Sequence, residues 1–264
     1  MTKHTETAQP LSAQDFTLAL FCRVDDELKE AKKPALARLH RSEVVTVGVL
    51  QVLRGQGWRA FYRWLSKELK SLFPHLPEQS RLFRLWRKYQ HLGKRFLAQP
   101  TALGVCDTFG IELMHPRREG RCEWHMDRKG KSNGRCIVGA KWFVLINQQG
   151  LIVRIGCCSA NCHATLFGCV IESFEEKMIV LADKGFHAQQ GDPMNLKICE
   201  KGQWNERMLI ETLFSACEGV FNMKKMDYRL KHSLQTRLHY TAAALNLCMN
   251  WTGKVRFNFA DFKL

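Results

Sequence analysis

A hydrophobic stretch that ends in a carboxylate is the feature that most constrains this chain. Five of the first six residues of MIVLADKGF, residues 178–186, are apolar, and the sixth, Asp183, stands directly before Lys184 and Gly185. One explanation is a turn, because Asp and Gly are both favoured in turns. The other is a functional carboxylate at the end of a buried strand, which requires further acidic residues to meet Asp183.

The charge balance points to a polyanionic partner. The 264 residues include 40 Lys and Arg but only 25 Asp and Glu, which gives a formal net charge of +15. Nucleic acid is the simplest partner for this surplus, although an anionic membrane surface would also attract it. No stretch reaches the ~18 consecutive apolar residues of a spanning helix, and the polar residues 1–16 lack the apolar centre of a signal peptide. We therefore expect a soluble cytoplasmic protein.

Residues 1–98 are predicted to form a helical DNA-binding region. Apolar residues recur at helical spacing near 41–53, 58–72 and 79–97, with Ser42 as the expected N-cap of the first helix and a glycine turn after it. Three basic residues share the polar side of the third helix: Arg81, Arg84 and Lys88. This order favours a helix-turn-helix-like region, while a small helical subdomain with a solvated basic face fits the same pattern.

The pattern changes after residue 98, which predicts a second region, 99–264. Strands are expected at 103–113, 136–147, 150–160, 178–183 and 194–200, and helices at 164–174, 205–221 and 234–251. This order predicts a mixed α/β sheet with helices packed on it. The basic residues 114–135, between the first two strands, are expected to form a mobile loop that contacts substrate.

Two further acidic residues are candidates to meet Asp183. Asp107 interrupts an apolar run, and a buried unpaired carboxylate tends to be paired, protonated or bound to a metal ion. Glu211 lies at the edge of the apolar stripe of the helix 205–221, which would hold it over the strand ends. Three carboxylates suit Mg²⁺ or Mn²⁺ and phosphodiester chemistry with two ions. Chance placement among 25 acidic residues remains the alternative.

Several segments carry a resemblance to a known family. VLADKGF, residues 180–186, resembles the Asp-x-Gly-aromatic motif of DDE transposases from bacterial insertion sequences. NERMLIET, residues 205–212, resembles their Arg-x-x-x-Glu motif, with Arg207 and Glu211 at the matching positions. GVCDTFGIEL, residues 104–113, is similar to the first-aspartate strand of the same domain. Residues 61–88 resemble the lead-in of insertion-sequence family nine-eight-two.

The resemblance implies an RNase H-like fold, a mixed α/β sheet with flanking helices, preceded by an all-α helix-turn-helix-like region. It implies a transposase that cleaves DNA at element ends and joins the freed 3′-hydroxyl to target DNA with two Mg²⁺ or Mn²⁺ ions. Asp107 would bridge the ions, while Asp183 and Glu211 would each complete the ligands of one ion. The implied partners are double-stranded DNA, as terminal inverted repeats and target, and further copies of the chain, at the nucleoid of a bacterial cytoplasm.

The resemblance also implies residues that contact DNA. Arg207 would orient Glu211 or contact phosphate, and Lys184 would neutralise backbone charge unless it is a solvent-facing turn residue. The family often has a basic residue seven positions after the glutamate, where this chain has Glu218, and two lysines soon after it are expected to replace that contact. The predicted DNA-binding residues are Arg207, Lys184, Lys224, Lys225, Arg81, Arg84 and Lys88.

Other functions and sites stay open. A catalytically inactive, transposase-derived DNA-binding protein would keep the fold and the charge, and a metal-dependent nuclease would cleave without strand transfer. The presence of all three acids argues against decay. One cluster contains residue types that bind zinc but lacks the usual paired spacing, so a zinc site and buried cysteines both remain open there: Cys157, Cys158, Cys162 and His163.

Overall fold

The computed structural model describes residues 12–29, 37–121, 126, 128–132, 134–199, 207–228 and 230–252. Within these ranges the chain forms helices at both ends and a mixed sheet between them. The helices are α1 (Ala13–Glu27), α2 (Arg41–Arg54), α3 (Trp58–Glu68), α4 (Gln79–Tyr89), α5 (Gly168–Glu172), α6 (Arg207–Gly219) and α7 (Lys231–Thr252). None of these described helices has both the length and the apolar character needed to span a membrane.

The strands form one sheet with β1 near its middle. They are β1 (Leu103–Met114), β2 (Lys129–Ser132), β3 (Arg135–Asn147), β4 (Ile152–Ser159), β5 (Ile179–Ala182) and β6 (Leu196–Ile198). β3 pairs antiparallel with β1 on one side and with β2 and β4 on the other. β5 pairs parallel with β1, and β6 pairs parallel with β5. β1 therefore lies between an antiparallel and a parallel neighbour.

Both faces of the sheet are covered because its central strands are apolar on both sides. Side chains alternate along a strand, so Val105 and Phe109 of β1 enter a larger core that includes α6 and α7. Cys106 enters a smaller core on the opposite face, together with Phe143 of β3 and Val180 of β5. Helices packed on an apolar sheet give the mixed α/β architecture that the sequence predicted.

The N-terminal helices share the larger core with the sheet. α2 is buried along most of its length, and Trp86 of α4 donates its indole hydrogen to the Val44 carbonyl at 3.1 Å. Asn246 of α7 accepts from the Ile152 N–H and donates to the Phe96 carbonyl, both at 2.8 Å. The predicted division at residue 98 stays a prediction about function, since residues on its two sides pack into one core.

Most of the predicted elements after residue 98 are present, with shifted ends. The hairpin is β3 and β4, and the predicted helix 164–174 begins as a 3₁₀ turn, Ala164–Phe167, before α5. The prediction of a loop over 114–135 was wrong in part, because β2 lies within it and pairs with the start of β3. Residues 122–125, 127 and 133 of that segment lie outside the described residues, as do residues 205 and 206 of the last but one predicted helix.

Two details of the helical region differ from prediction. His40, not Ser42, caps α2: the His40 ring accepts the Ser42 N–H at 3.3 Å, and Glu43 accepts the His40 N–H. The third predicted helix is α-helical only to Tyr89 and continues as a 3₁₀ helix to Phe96. Gly93 in this segment lies so near α7 that an added Cβ would sit 3.1 Å from the His239 carbonyl oxygen.

Candidate active site and nucleic-acid interface

Asp107 lies within β1, and Asp183 directly follows the last residue of β5. The parallel register of the two strands ends with Val105 opposite Leu181, so Asp107 and Asp183 each lie two residues after this last pair. Neighbouring strands run about 4.8 Å apart. Because side chains alternate, Asp107 lies on the same face of β1 as Val105, which is the face of the larger core. Two of the three predicted carboxylates therefore follow the same β1–β5 pair, with Asp107 still in the sheet and Asp183 just beyond it.

α6 packs over the same face of β1. Its apolar stripe enters the larger core, and the Phe214 ring lies 5.2 Å from the Phe109 ring of β1. Arg207 opens the helix half-buried, and Glu211 follows one turn later in an exposed position. Residues four apart lie on one side of a helix, so the predicted Arg-x-x-x-Glu pair shares a side of α6 next to its buried stripe.

The electrostatics of Asp107 shows that these groups act on one another. Burial raises the pKa of the Asp107 carboxyl to about 6, and the negative charges of Asp183 and Glu211 raise it further. The Thr108 N–H and the positive charge of Arg207 oppose this shift. The charges of Asp183, Glu211 and Arg207 thus all act on Asp107.

Each strand carboxylate is also held by a local backbone hydrogen bond. The Thr108 N–H donates to Asp107 Oδ1 at 2.6 Å, and the Gly185 N–H donates to Asp183 Oδ1 at 2.9 Å. The second bond caps the 3₁₀ turn Lys184–Phe186. Asp183 therefore closes a turn, as the first explanation requires, and its charge also acts on a second carboxylate.

The acidic cluster has the donor chemistry of a divalent metal site. Carboxylate oxygens are the ligands that Mg²⁺ and Mn²⁺ prefer, and a cation would favour the charged form of Asp107, which burial and the neighbouring acids disfavour. In the described part of the chain, no three His, Cys, Asp or Glu side chains are placed close enough to hold a metal ion. The fit is therefore one of donor type.

Arg207 carries a buried nitrogen next to this cluster. Its Nε atom is shielded from solvent and makes no hydrogen bond to the described residues. A buried donor without a partner is costly, and the guanidinium charge is felt at Asp107. The Arg207 guanidinium thus lies close enough to Asp107 to act on its charge, and which of the two expected roles it has stays a prediction.

The three predicted lysines are exposed. Lys184 lies next to Asp183, and Lys224 and Lys225 lie at the C-terminal end of β1. Lys184 follows Asp183 in the 3₁₀ turn. Lys224 Nζ lies 3.0 Å from Oε2 of Glu218, so the acid at the position where the family has a base is paired with the lysine expected to replace it. Lys225 Nζ lies 3.8 Å from Glu112 Oε1 of β1. These two lysines are held by the end of β1 through backbone hydrogen bonds between Glu112 and residues 224 and 226.

α4 presents the predicted basic face to solvent. Leu82, Trp86 and Tyr89 are its buried side. The opposite side lines a shallow surface depression of about 410 Å³. Its lining residues are Glu78, Arg81, Arg84, Leu85 and Lys88. The three predicted cations thus share one concave surface on the helical region, with one acid beside them.

The basic character of residues 114–135 was predicted from the sequence, but the cavity that residues 114–121 help to line was not. This basic depression has a volume of about 850 Å³ at the end of β1. It is lined by Leu113, Met114, His115, Arg118, Arg121, Lys225 and Asp227. The basic run HPRREGR, residues 115–121, could have indicated such a surface. Its proximity to Lys225 could not be predicted from sequence spacing, because it depends on how residue 225 packs against β1.

Burial and a helix cap explain the cluster of Cys157, Cys158, Cys162 and His163 at the end of β4. Burial raises the pKa of the Cys158 thiol to about 12, and the neighbouring Cys162 adds to the shift. His163 accepts the Thr165 N–H and so caps the 3₁₀ turn that follows. Burial favours the protonated thiol at Cys158, and His163 makes a structural contact. Among the described residues, no group of Cys and His side chains is assembled to bind zinc.

Comparison with known proteins adds nothing to this geometry. No family model and no curated protein sequence matches the chain.

Proposed function

We propose that this protein is a DNA transposase of the DDE type, in which Asp107, Asp183 and Glu211 form the catalytic carboxylate cluster. The single observation that carries the proposal is the parallel pairing of β1 with β5, which leaves Asp107 close enough to Asp183 for the two charges to interact. The effect of Glu211 and Arg207 on the Asp107 pKa extends the cluster to α6.

The architecture supports the RNase H-like part of the proposal. A mixed sheet carries helices on both faces, and the strand expected to bear the first aspartate lies at its middle. In open α/β sheets, sites form beyond strand ends where neighbouring connections diverge. The helix-turn-helix-like part is supported by α2, the glycine-containing connection and α3, followed by the basic α4.

The proposed chemistry assigns separate tasks to the residues. Asp107, Asp183 and Glu211 would hold Mg²⁺ or Mn²⁺, which supplies stabilisation of the attacking and leaving oxygens in phosphodiester cleavage and joining. Arg207 would orient Glu211 or contact a phosphate of the backbone. The Gly185 N–H keeps Asp183 oriented at the strand end. Lys184, beside it, would offset the charge of the incoming backbone.

Binding of double-stranded DNA, as element ends and as target, follows from the same proposal. Arg81, Arg84 and Lys88 would contact phosphates from the helical region, and Lys224 and Lys225 from the end of β1. A polyanionic duplex is attracted to a chain with a net charge of +15. Bringing two element ends together requires at least two copies of the chain, in a bacterial cytoplasm.

The test is metal-dependent cleavage and joining of labelled DNA that carries the repeats flanking the coding sequence. The wild-type protein should give cleaved and joined products with Mg²⁺ or Mn²⁺. Asp183→Asn should abolish both products and leave DNA binding largely intact, because it removes a site charge and little binding surface. Glu176→Gln is the matched control, since it removes an exposed carboxylate from the turn before β5.

The products separate this proposal from its alternatives. Cleavage without joined products would identify a metal-dependent nuclease. Binding without cleavage by the wild-type protein would leave a transposase-derived DNA-binding protein without activity. Equal activity of wild type and Asp183→Asn would place the chemistry elsewhere and overturn the assignment of the cluster.

A further inference from the structure

An aromatic pocket lies between the helical region and the start of α7. It has a volume of about 170 Å³. Its floor is aromatic: the Trp58 ring lies 4.6 Å from the Phe83 ring and 4.8 Å from the Trp86 ring. Trp58 and Phe83 are half-buried, so parts of both rings line the opening. The Trp58 and Phe83 rings are inclined at 64° to each other, so a small planar group can stack on one of them at a time.

The rim of this pocket is cationic. Arg84 and Arg87 of α4 line it, both are exposed, and neither forms an ion pair with the described residues. Arg87 Nη1 donates to Nε2 of His232 at 3.2 Å, which holds the guanidinium over the opening. Burial and the charge of Arg87 lower the pKa of His232, so the imidazole accepts this bond as the neutral form. A cation therefore stands beside the Trp58 and Phe83 rings.

The pocket connects surfaces that are basic on both sides. Arg84 lines both this pocket and the depression with Arg81 and Lys88. Trp58 lines both this pocket and a third depression, which reaches Lys225. Lys225 also borders the large basic depression at the end of β1. Depressions that share lining residues thus follow one another from α4 past the aromatic pocket to β1.

Size and chemistry together select the occupant. Pockets that enclose a whole ligand usually measure about 300–1,000 Å³, so this smaller one admits a single ring system and leaves any attached backbone outside. Aromatic side chains stack on every nucleobase, and arginines beside them contact the flanking phosphates. We propose that the Trp58 pocket receives one unpaired nucleobase of a DNA strand, while Arg84 and Arg87 contact the phosphates on either side of it.

This inference names a subsite for the DNA of the proposed function, and its test needs no catalysis. The probes are a short duplex with one unpaired deoxyadenosine at a 3′ end and the same duplex with an abasic residue there. Both probes carry equal charge. Their affinities are measured by fluorescence anisotropy in EDTA, so that neither cleavage nor a metal ion contributes.

The wild-type protein should bind the base-bearing probe about tenfold more tightly than the abasic probe, because stacking on an aromatic side chain is lost without the base. Trp58→Leu should remove this preference, and Trp58→Phe should retain most of it. Arg87→Gln should weaken binding of both probes more than Arg63→Gln does. Arg63 is an exposed arginine of α3 outside the pocket, so the second variant matches the change in charge.

Equal affinities of the wild-type protein for the two probes would overturn the inference. So would an unchanged preference in Trp58→Leu, with its fold checked by circular dichroism. If metal-dependent cleavage is found but no preference for the base, only this inference fails. If the preference is found but no cleavage, the subsite stands and the proposed enzymatic function fails.

Discussion

Asp107 is a half-buried carboxylate whose environment favours its neutral form. Its pKa is raised to about 6 by burial and by the charges of Asp183 and Glu211, whereas an unfolded aspartate has a pKa of about 4. Between these values the folded protein binds more protons than the unfolded chain, so stability falls as pH rises through this range. Burial of the charged Asp107 carboxylate, with repulsion from Asp183 and Glu211 as a smaller part, is thus a cost to folding that is present in full above about pH 6.

Asp107→Asn should therefore raise stability at pH 8, by about 1–3 kcal/mol, and should change it little near pH 4, where the native carboxyl is already protonated. Urea unfolding of wild type and variant across this range measures the difference. Asp192→Asn should change stability in the opposite direction, because hydrogen bonds from the Ala188 N–H and from His187 lower the Asp192 pKa. Its loss of stability should be present at neutral pH and disappear in acid. A pH-independent gain in Asp107→Asn would contradict the raised pKa.

Arg237 joins three elements through a buried cation. On α7, it donates to the Gln51 side chain at 2.6 Å, to the Gln51 carbonyl at 3.2 Å and to the Phe221 carbonyl at 2.9 Å. The described residues place no carboxylate in ion-pair contact with it, and burial lowers its pKa. Carbonyl oxygens at the C-terminal end of α2 carry partial negative charge, which offsets part of the cost of burying the guanidinium.

Arg237→Leu should destabilise the protein by about 2–4 kcal/mol, because it leaves buried carbonyl groups without a donor. Arg237→Lys should lose less than Arg237→Leu, since one ammonium keeps the charge but cannot satisfy the same acceptors as the guanidinium fork. Urea unfolding measures both variants. Lys231→Gln, an exposed position on the same helix, should stay within about 0.5 kcal/mol of wild type. Equal stability of Arg237→Leu and wild type would show that desolvation of the cation cancels its hydrogen bonds.

The sequence patterns predicted the helices and strands more accurately than they predicted the contacts between those elements. The apolar runs gave β1, β3, β4 and β5 because period-two burial is a local property of a strand. The cap of α2 was missed because histidine is an uncommon N-cap, although its Nδ1 can accept the same hydrogen bond. Convergence of Asp107 and Asp183 could be expected from two strand-end acids. The meeting of Trp58 with Arg87 and His232 could not, because it depends on how α3, α4 and α7 pack.

The positive charge of the whole molecule is organised along its surface depressions. They run from the cations of α4, past Trp58, to Lys225 and the basic residues after β1. A phosphate backbone that follows this path would release one counterion for each phosphate neutralised, which makes binding steeply dependent on salt. Net charge alone would also give salt dependence, so the position of the cations has to be tested separately from their number.

The combined variant Arg81→Gln, Arg84→Gln and Lys88→Gln should weaken binding to a blunt DNA duplex and make the slope of log K against log salt less steep by about 3, since each phosphate contact contributes about 0.9. The matched control is Arg59→Gln, Arg63→Gln and Lys70→Gln, which removes three exposed positive charges from α3 and the turn after it. Anisotropy titrations between low and physiological salt give both slopes. A slope that changes only in the first variant locates the duplex on α4. Equal changes in the two would mean that DNA responds to total charge, and would contradict the assignment of Arg81, Arg84 and Lys88 as DNA contacts.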